Sequence, residues 1–72
     1  MSALAEFLNL RQLAALAAAI KQARADGAIH RVMVGGGGEA LAFSFDREIN
    51  WFVADNSGKA VARGQLPLEA GK

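Results

Sequence analysis

The spacing of apolar residues changes near residue 28. Between residues 10 and 25 they recur every three or four positions; beyond residue 28 they alternate. The first spacing is that of an amphipathic helix and the second that of half-buried strands. On a helical wheel Leu13, Leu16, Ala17, Ile20 and Ala23 form one stripe, with Leu10 at its margin. Arg11, Ala15, Ala18, Gln22 and Ala25 fall opposite. The alternating part breaks into runs at about residues 29–34, 40–45, 49–55 and 60–65.

Local signals frame these segments. Asn9 suits a helix N-cap, and Gln12, three residues on, can reach back to the Asn9 N–H in a capping box. Leu8 and Leu13 occupy the positions of a hydrophobic staple. Lys21 and Arg24 lie in the last turns, where the helix dipole favours cations, and Gly27 supplies a left-handed stop. The strands are separated by the glycines 35–38, by Asp46-Arg47-Glu48, and by Asn56-Ser57-Gly58, while Pro67 blocks the last run. The fold class read from this pattern is α+β: one N-terminal helix packed on a four-stranded antiparallel meander, a single domain over residues 1–72 with a flexible tail at 66–72.

Register decides which residues share a face, because a slip by one residue turns every side chain over. A three-residue loop at 46–48 sets Phe45 against Ile49, Phe43 against Trp51 and Leu41 against Val53, gathering all six in one core. A three-residue loop at 56–58 sets Asp55 against Lys59, Val53 against Val61 and Trp51 against Arg63. The opposite face then carries Met33, Ala40, Ala42, Ser44, Asn50, Phe52, Ala54, Ala60 and Ala62, with Arg31 at its edge. Phe52 is partner-facing in this register and core-facing in the other. One helix cannot cover both faces. The small-residue face is therefore expected to meet a partner, a second copy of the chain with Phe52 near the centre, or the segment around Leu4 and Phe7.

Composition narrows the chemistry. With 53% apolar and 21% charged residues the chain is too hydrophobic for disorder. A net charge of +1 gives no strong field toward nucleic acids or acidic membranes. There is no cysteine and only one histidine, His30, so thiolate zinc and His-rich metal sites are excluded and neither metal nor cofactor is expected. The apolar run at 13–20 is shorter than the roughly 20 residues that span a bilayer. Glu6 stands where a signal peptide carries positive charge, so a cytoplasmic location is expected.

Candidate reaction motifs fail on their neighbours. The glycines 35–38 are followed by Glu39 and an alternating run, whereas a phosphate loop needs Lys-Ser or Lys-Thr and then a helix. They read as a hairpin turn with a mobile tip. His30 has Asp26 and Asp46 as candidate partners, but Ser2, Ser44 and Ser57 lie in no nucleophile elbow. The Asp55-Asn56-Ser57-Gly58-Lys59 stretch opens like a calcium loop and lacks its later ligands. No enzymatic activity is expected.

A short, single-domain, cysteine-free chain without catalytic equipment resembles the small phage-encoded anti-CRISPR-type inhibitors of bacterial defence. The likeness is one of size and composition, and no residue's role transfers from it. It implies a non-enzymatic protein that binds a protein partner. The residues expected at such a surface are Phe52, Ala42, Arg31, Arg63, Gly36 and Gly37. The alternative is a weak nucleic-acid-binding accessory protein that stacks bases on a sheet-face aromatic beside dispersed arginines.

Overall fold

The computed structural model of the protein describes residues 8–68. Helix α1 spans Leu10–Asp26. Its start is the expected capping box: the Gln12 N–H donates to Asn9 Oδ1 at 2.8 Å, and the Asn9 N–H donates to Gln12 Oε1 at 2.9 Å. It ends at Gly27, whose φ of 71° is left-handed and whose N–H donates to the Ala23 carbonyl at 2.7 Å. Leu8 and Leu13 both pack into the core.

Four strands follow: β1 His30–Met33, β2 Glu39–Phe45, β3 Glu48–Ala54 and β4 Ala60–Pro67. They form one antiparallel sheet in the order β1-β2-β3-β4, with α1 lying chiefly on β2 and β1. The α+β meander expected from the spacing is the architecture found. Among the described residues no helix is long and apolar enough to cross a membrane.

The helix is rotated relative to the expected stripe. Its buried face is Ala15, Leu16, Ala19, Ile20 and Ala23, whereas Ala17 is exposed. Ala15, expected on the far side, lies in the core. The cause is close approach. Alanines 15, 19 and 23 share the core with Ala40 and Ala42 of β2, all wholly or nearly wholly buried, and small residues on both elements let the helix settle low on the sheet.

The β2–β3 register also differs. The connection is a two-residue turn, Asp46-Arg47, with φ of 54° and 67°. Two left-handed central residues match the right-handed twist of a hairpin. Phe45 pairs with Glu48, Phe43 with Asn50, Ala42 with Trp51, Leu41 with Phe52 and Ala40 with Val53. The expected pairings of Phe45 with Ile49, Phe43 with Trp51 and Leu41 with Val53 are one step out. Ile49, Trp51 and Val53 fill the core as expected, but from β2 it is Ala40 and Ala42 that join them. Leu41, Phe43 and Phe45 point to the other side.

The last hairpin keeps its loop and shifts its ladder. The Asp55 N–H donates to the Lys59 carbonyl at 2.9 Å around Asn56-Ser57-Gly58. An irregularity at Val53/Ala54 then sets Val53 against Ala62, Phe52 against Arg63 and Trp51 against Gly64, in place of the expected Val53–Val61 and Trp51–Arg63 pairs. The extra residue is a bulge, which re-aims the side chains beyond it. Gly64 accepts the indole: a Cβ there would lie 2.7 Å from Trp51 Cζ2. Residues 66–68, read from the sequence as the start of a flexible tail, are built into the fold. Leu66, next to the end of β4, packs against the core as Leu68 does, and Arg24 Nη2 donates to the Pro67 carbonyl at 3.2 Å. The rest of that tail, and Leu4 and Phe7, lie outside the described residues.

Candidate functional site

The sheet has one face under α1 and one face that no described element covers. Alternation assigns the open face: Arg31 and Met33 from β1, Leu41, Phe43 and Phe45 from β2, Asn50 and Phe52 from β3, Arg63 and Gln65 from β4. One cross-strand row reads Arg31–Leu41–Phe52–Arg63, an apolar centre with a guanidinium at each end. The next row reads Phe43–Asn50–Gln65. Met33 and Phe45 are 69% and 68% exposed, and Leu41, Phe43 and Phe52 are half-buried among their neighbours.

Three of the six expected surface residues therefore meet: Phe52, Arg31 and Arg63 share one row. Ala42 does not. It is completely buried under the helix, because the two-residue turn gives it the parity of Trp51. Ala40, Ser44 and Ala62 move to the helix face with it, so the small-residue patch expected to hold a second copy is absent from the open face. Large apolar residues stand there instead. Sequence reasoning missed Leu41, Phe43 and Phe45 as surface residues. Gly64 in mid-strand, with room for the Trp51 ring beside it, signals the β3–β4 register and so the place of Arg63, not that of the β2 residues.

Gly36 and Gly37 lie in the β1–β2 hairpin at the end of the sheet. The Val34 N–H donates to the Gly38 carbonyl and the Gly37 N–H to the Val34 carbonyl, both at 3.0 Å. Gly36, Gly37 and Gly38 have φ of 94°, 121° and 93°, so three residues in succession need glycine. The loop is also hemmed in. A Cβ on Gly36 would meet Arg11 Nη1 at 3.0 Å, one on Gly37 would meet Asn56 Cβ at 2.9 Å, and one on Gly38 would strike the Ala54 carbonyl. The loop lies between the helix start and the β3–β4 turn. Strand β2 follows it directly, so the chain does not run from this loop into a helix as it does after a phosphate loop.

Between Phe43, Phe52 and Arg63 runs a shallow groove of about 490 Å³, floored by Asn50 and Gln65. Gln65 Nε2 donates to Asn50 Oδ1 at 2.8 Å, which leaves Asn50 Nδ2 buried without an acceptor. Arg31 Nε pairs with Glu39 Oε1 at 3.2 Å, whereas Arg63 forms no ion pair among the described residues.

Elsewhere the polar groups serve turns. His30 Nε2 lies 2.8 and 3.0 Å from the two Asp26 carboxylate oxygens, and Oδ1 also accepts the Ala28 N–H at 2.9 Å. The Ala28 N–H first, and His30 second, hold the Asp26 carboxyl below its ordinary value. Asp55 Oδ1 accepts the Ser57 hydroxyl at 2.6 Å and the N–H groups of Ser57 and Lys59, so this carboxylate is spent inside its loop. Among the described residues no group of three or more His, Asp or Glu is placed to hold a metal ion. Comparison with protein-family models, curated proteins and solved structures finds no match.

Proposed function

We propose that the protein is a non-enzymatic interaction module that docks a protein partner on its open sheet face, and that it acts as a phage-encoded, anti-CRISPR-like inhibitor of a bacterial defence complex in the cytoplasm. The observation that carries the docking is the set Met33, Leu41, Phe43, Phe45 and Phe52 on one face that no described element covers. A contiguous apolar patch raises the cost of staying in water, and burying one Phe ring contributes about 1.5–3 kcal/mol. An aromatic centre with arginines at its margin also has the composition of a binding hot spot. The inhibitor role rests on the resemblance in size and composition.

The test is capture of a protein from host lysate by the full-length chain, repeated with Phe43→Ser and Phe52→Ser. Capture that both variants abolish without changing the circular dichroism supports the docking face. Capture that neither affects sinks it. For the inhibitor role, expression in cells with an active CRISPR system should restore plating of a targeted phage, and unchanged plating removes that role.

A second reading has its own observation. Phe43 stands diagonally beside Phe52, with Arg63 and the Asn50–Gln65 amides adjoining. Two rings on neighbouring central strands with amides beside them can stack and hydrogen-bond single-stranded bases. Met33, Leu41 and Phe45 have no role in such a platform, and a net charge of +1 gives little attraction for phosphate. Salt-steep binding of an oligonucleotide would favour this reading over the first.

A further inference from the structure

The open face can be closed by a second copy, by the chain's own segment around Leu4 and Phe7, or by a different protein, and its charges discriminate between the first and the last. Packed sheets usually keep their strands aligned to within about 30°. A face-to-face dimer then has two simple two-fold axes in the sheet plane. An axis along the strands, between β2 and β3, sets β1 over the copy's β4, so Arg31 opposes Arg63 and Phe45 opposes Glu48. An axis along the row Arg31–Leu41–Phe52–Arg63 sets each arginine over its own copy and Glu39 over Phe43. Both bring guanidinium to guanidinium, or carboxylate to an aromatic ring, in a desolvated contact. Burying a like-charge pair or an unpaired charge opposes association.

A different protein can supply what the face lacks. Arg63 is exposed, adjoins Phe52 directly across the ladder, and has no anionic partner among the described residues. Glu39 is already engaged by Arg31. A cation beside two rings calls for an anionic oxygen next to an apolar group.

We infer that the groove takes a segment of a foreign protein that lays a large apolar side chain between Phe43 and Phe52 and sets a carboxylate against Arg63. The charge-assisted hydrogen bond fixes the segment's direction, and the rings bury its apolar side chain. This rests on the open face being the docking surface, and it adds that the partner is acidic at that point.

The experiment selects from a displayed library of linear peptides against the immobilised full-length chain, unmutated and with Arg63→Glu. The unmutated chain should enrich Asp or Glu beside a large apolar residue, and Arg63→Glu should enrich Lys or Arg in its place. A synthetic peptide from the first selection should bind Arg63→Glu at least about tenfold more weakly, and its charge-reversed version should bind Arg63→Glu better than the unmutated chain. Arg63→Gln, a milder change, should bind the acidic peptide more weakly than the unmutated chain does and the charge-reversed peptide more weakly than Arg63→Glu does. Enrichment that ignores charge but is lost in Phe52→Ser overturns the acidic partner and leaves the docking face standing. Enrichment indifferent to Phe52→Ser and Phe43→Ser overturns both. No enrichment, enrichment that appears only when residues 1–7 are deleted, a dimer that Phe52→Ser dissolves, or salt-steep oligothymidine binding at the same residues each overturns the inference.

Discussion

Gly38 and Gly35 belong to the same run of four glycines and answer to different constraints. Gly38 has φ of 93°, and a side chain there strikes the Ala54 carbonyl; Gly35 has no positive φ, and its Cβ would make ordinary contact with Arg11 Cδ at 3.6 Å. Gly38→Ala should therefore destabilise the protein by about 2 kcal/mol or more, combining the left-handed penalty with a backbone collision. Gly35→Ala should be neutral or stabilising by up to about 1 kcal/mol, because it restricts the unfolded chain. Urea unfolding of the two variants checks the pair, and equal losses would show that the loop is not hemmed in as described. Arg47 offers the opposite experiment. Its φ of 67° strains a side chain that glycine would not have. Arg47→Gly should raise stability by about 0.5–1 kcal/mol, the left-handed penalty less the entropy of the added freedom. A lower unfolding midpoint would refute this. A glycine-rich turn was legible in the sequence. Which glycines were indispensable was not, since that depends on Ala54 and Asn56, nearly twenty residues downstream.

At the scale of elements, local chemistry was legible and relative placement was not. Asn9, Gln12 and Gly27 announced both ends of α1, because a cap is a contact between residues a few positions apart. The β2–β3 register depended on whether Asp46-Arg47 or Asp46-Arg47-Glu48 forms the turn, and nothing local separates these by much. One residue of difference moved Leu41, Phe43 and Phe45 from the core to the surface. The argument that all large residues should share one core failed for a packing reason: the alanines on α1 and β2 bring the two elements together and leave less volume to fill. The β3–β4 loop carries its own prediction. The Ser57 hydroxyl foremost, then the Ser57 and Lys59 N–H groups, hold the Asp55 carboxyl below its ordinary value of 3.8. A carboxyl depressed by folding contributes stability above its unfolded value, and this is lost as pH falls through the folded value. The stability advantage of the unmutated chain over Asp55→Asn should thus be full at neutral pH and shrink below 3.8. Thermal unfolding of both proteins across that range is the measurement, and a gap that does not change with pH would refute the role given to the carboxylate.

For the whole molecule, the helix and sheet have separate tasks. One face of the sheet is used up in building a core around Ile49, Trp51 and Val53, and the other is left with its aromatics outward. Phe52 and Arg31 on one face follow from alternation along their own strands, whereas Arg63, read opposite Trp51, reaches Phe52 only through the bulge at Val53/Ala54. Ala42 was misplaced and Phe43 missed, because both hang on the turn that joins β2 to β3. The strand order β1-β2-β3-β4 has a further consequence. Each strand pairs with its neighbour along the chain, so closing the sheet never requires distant segments to find each other. The search for the topology of the sheet itself is correspondingly short. Trp51, the only tryptophan, moves from water to a buried seat over Gly64 when β4 docks. Its fluorescence in a stopped-flow mixer should thus report single-exponential refolding within milliseconds, faster than barrels and sandwiches whose strands pair across the length of the chain.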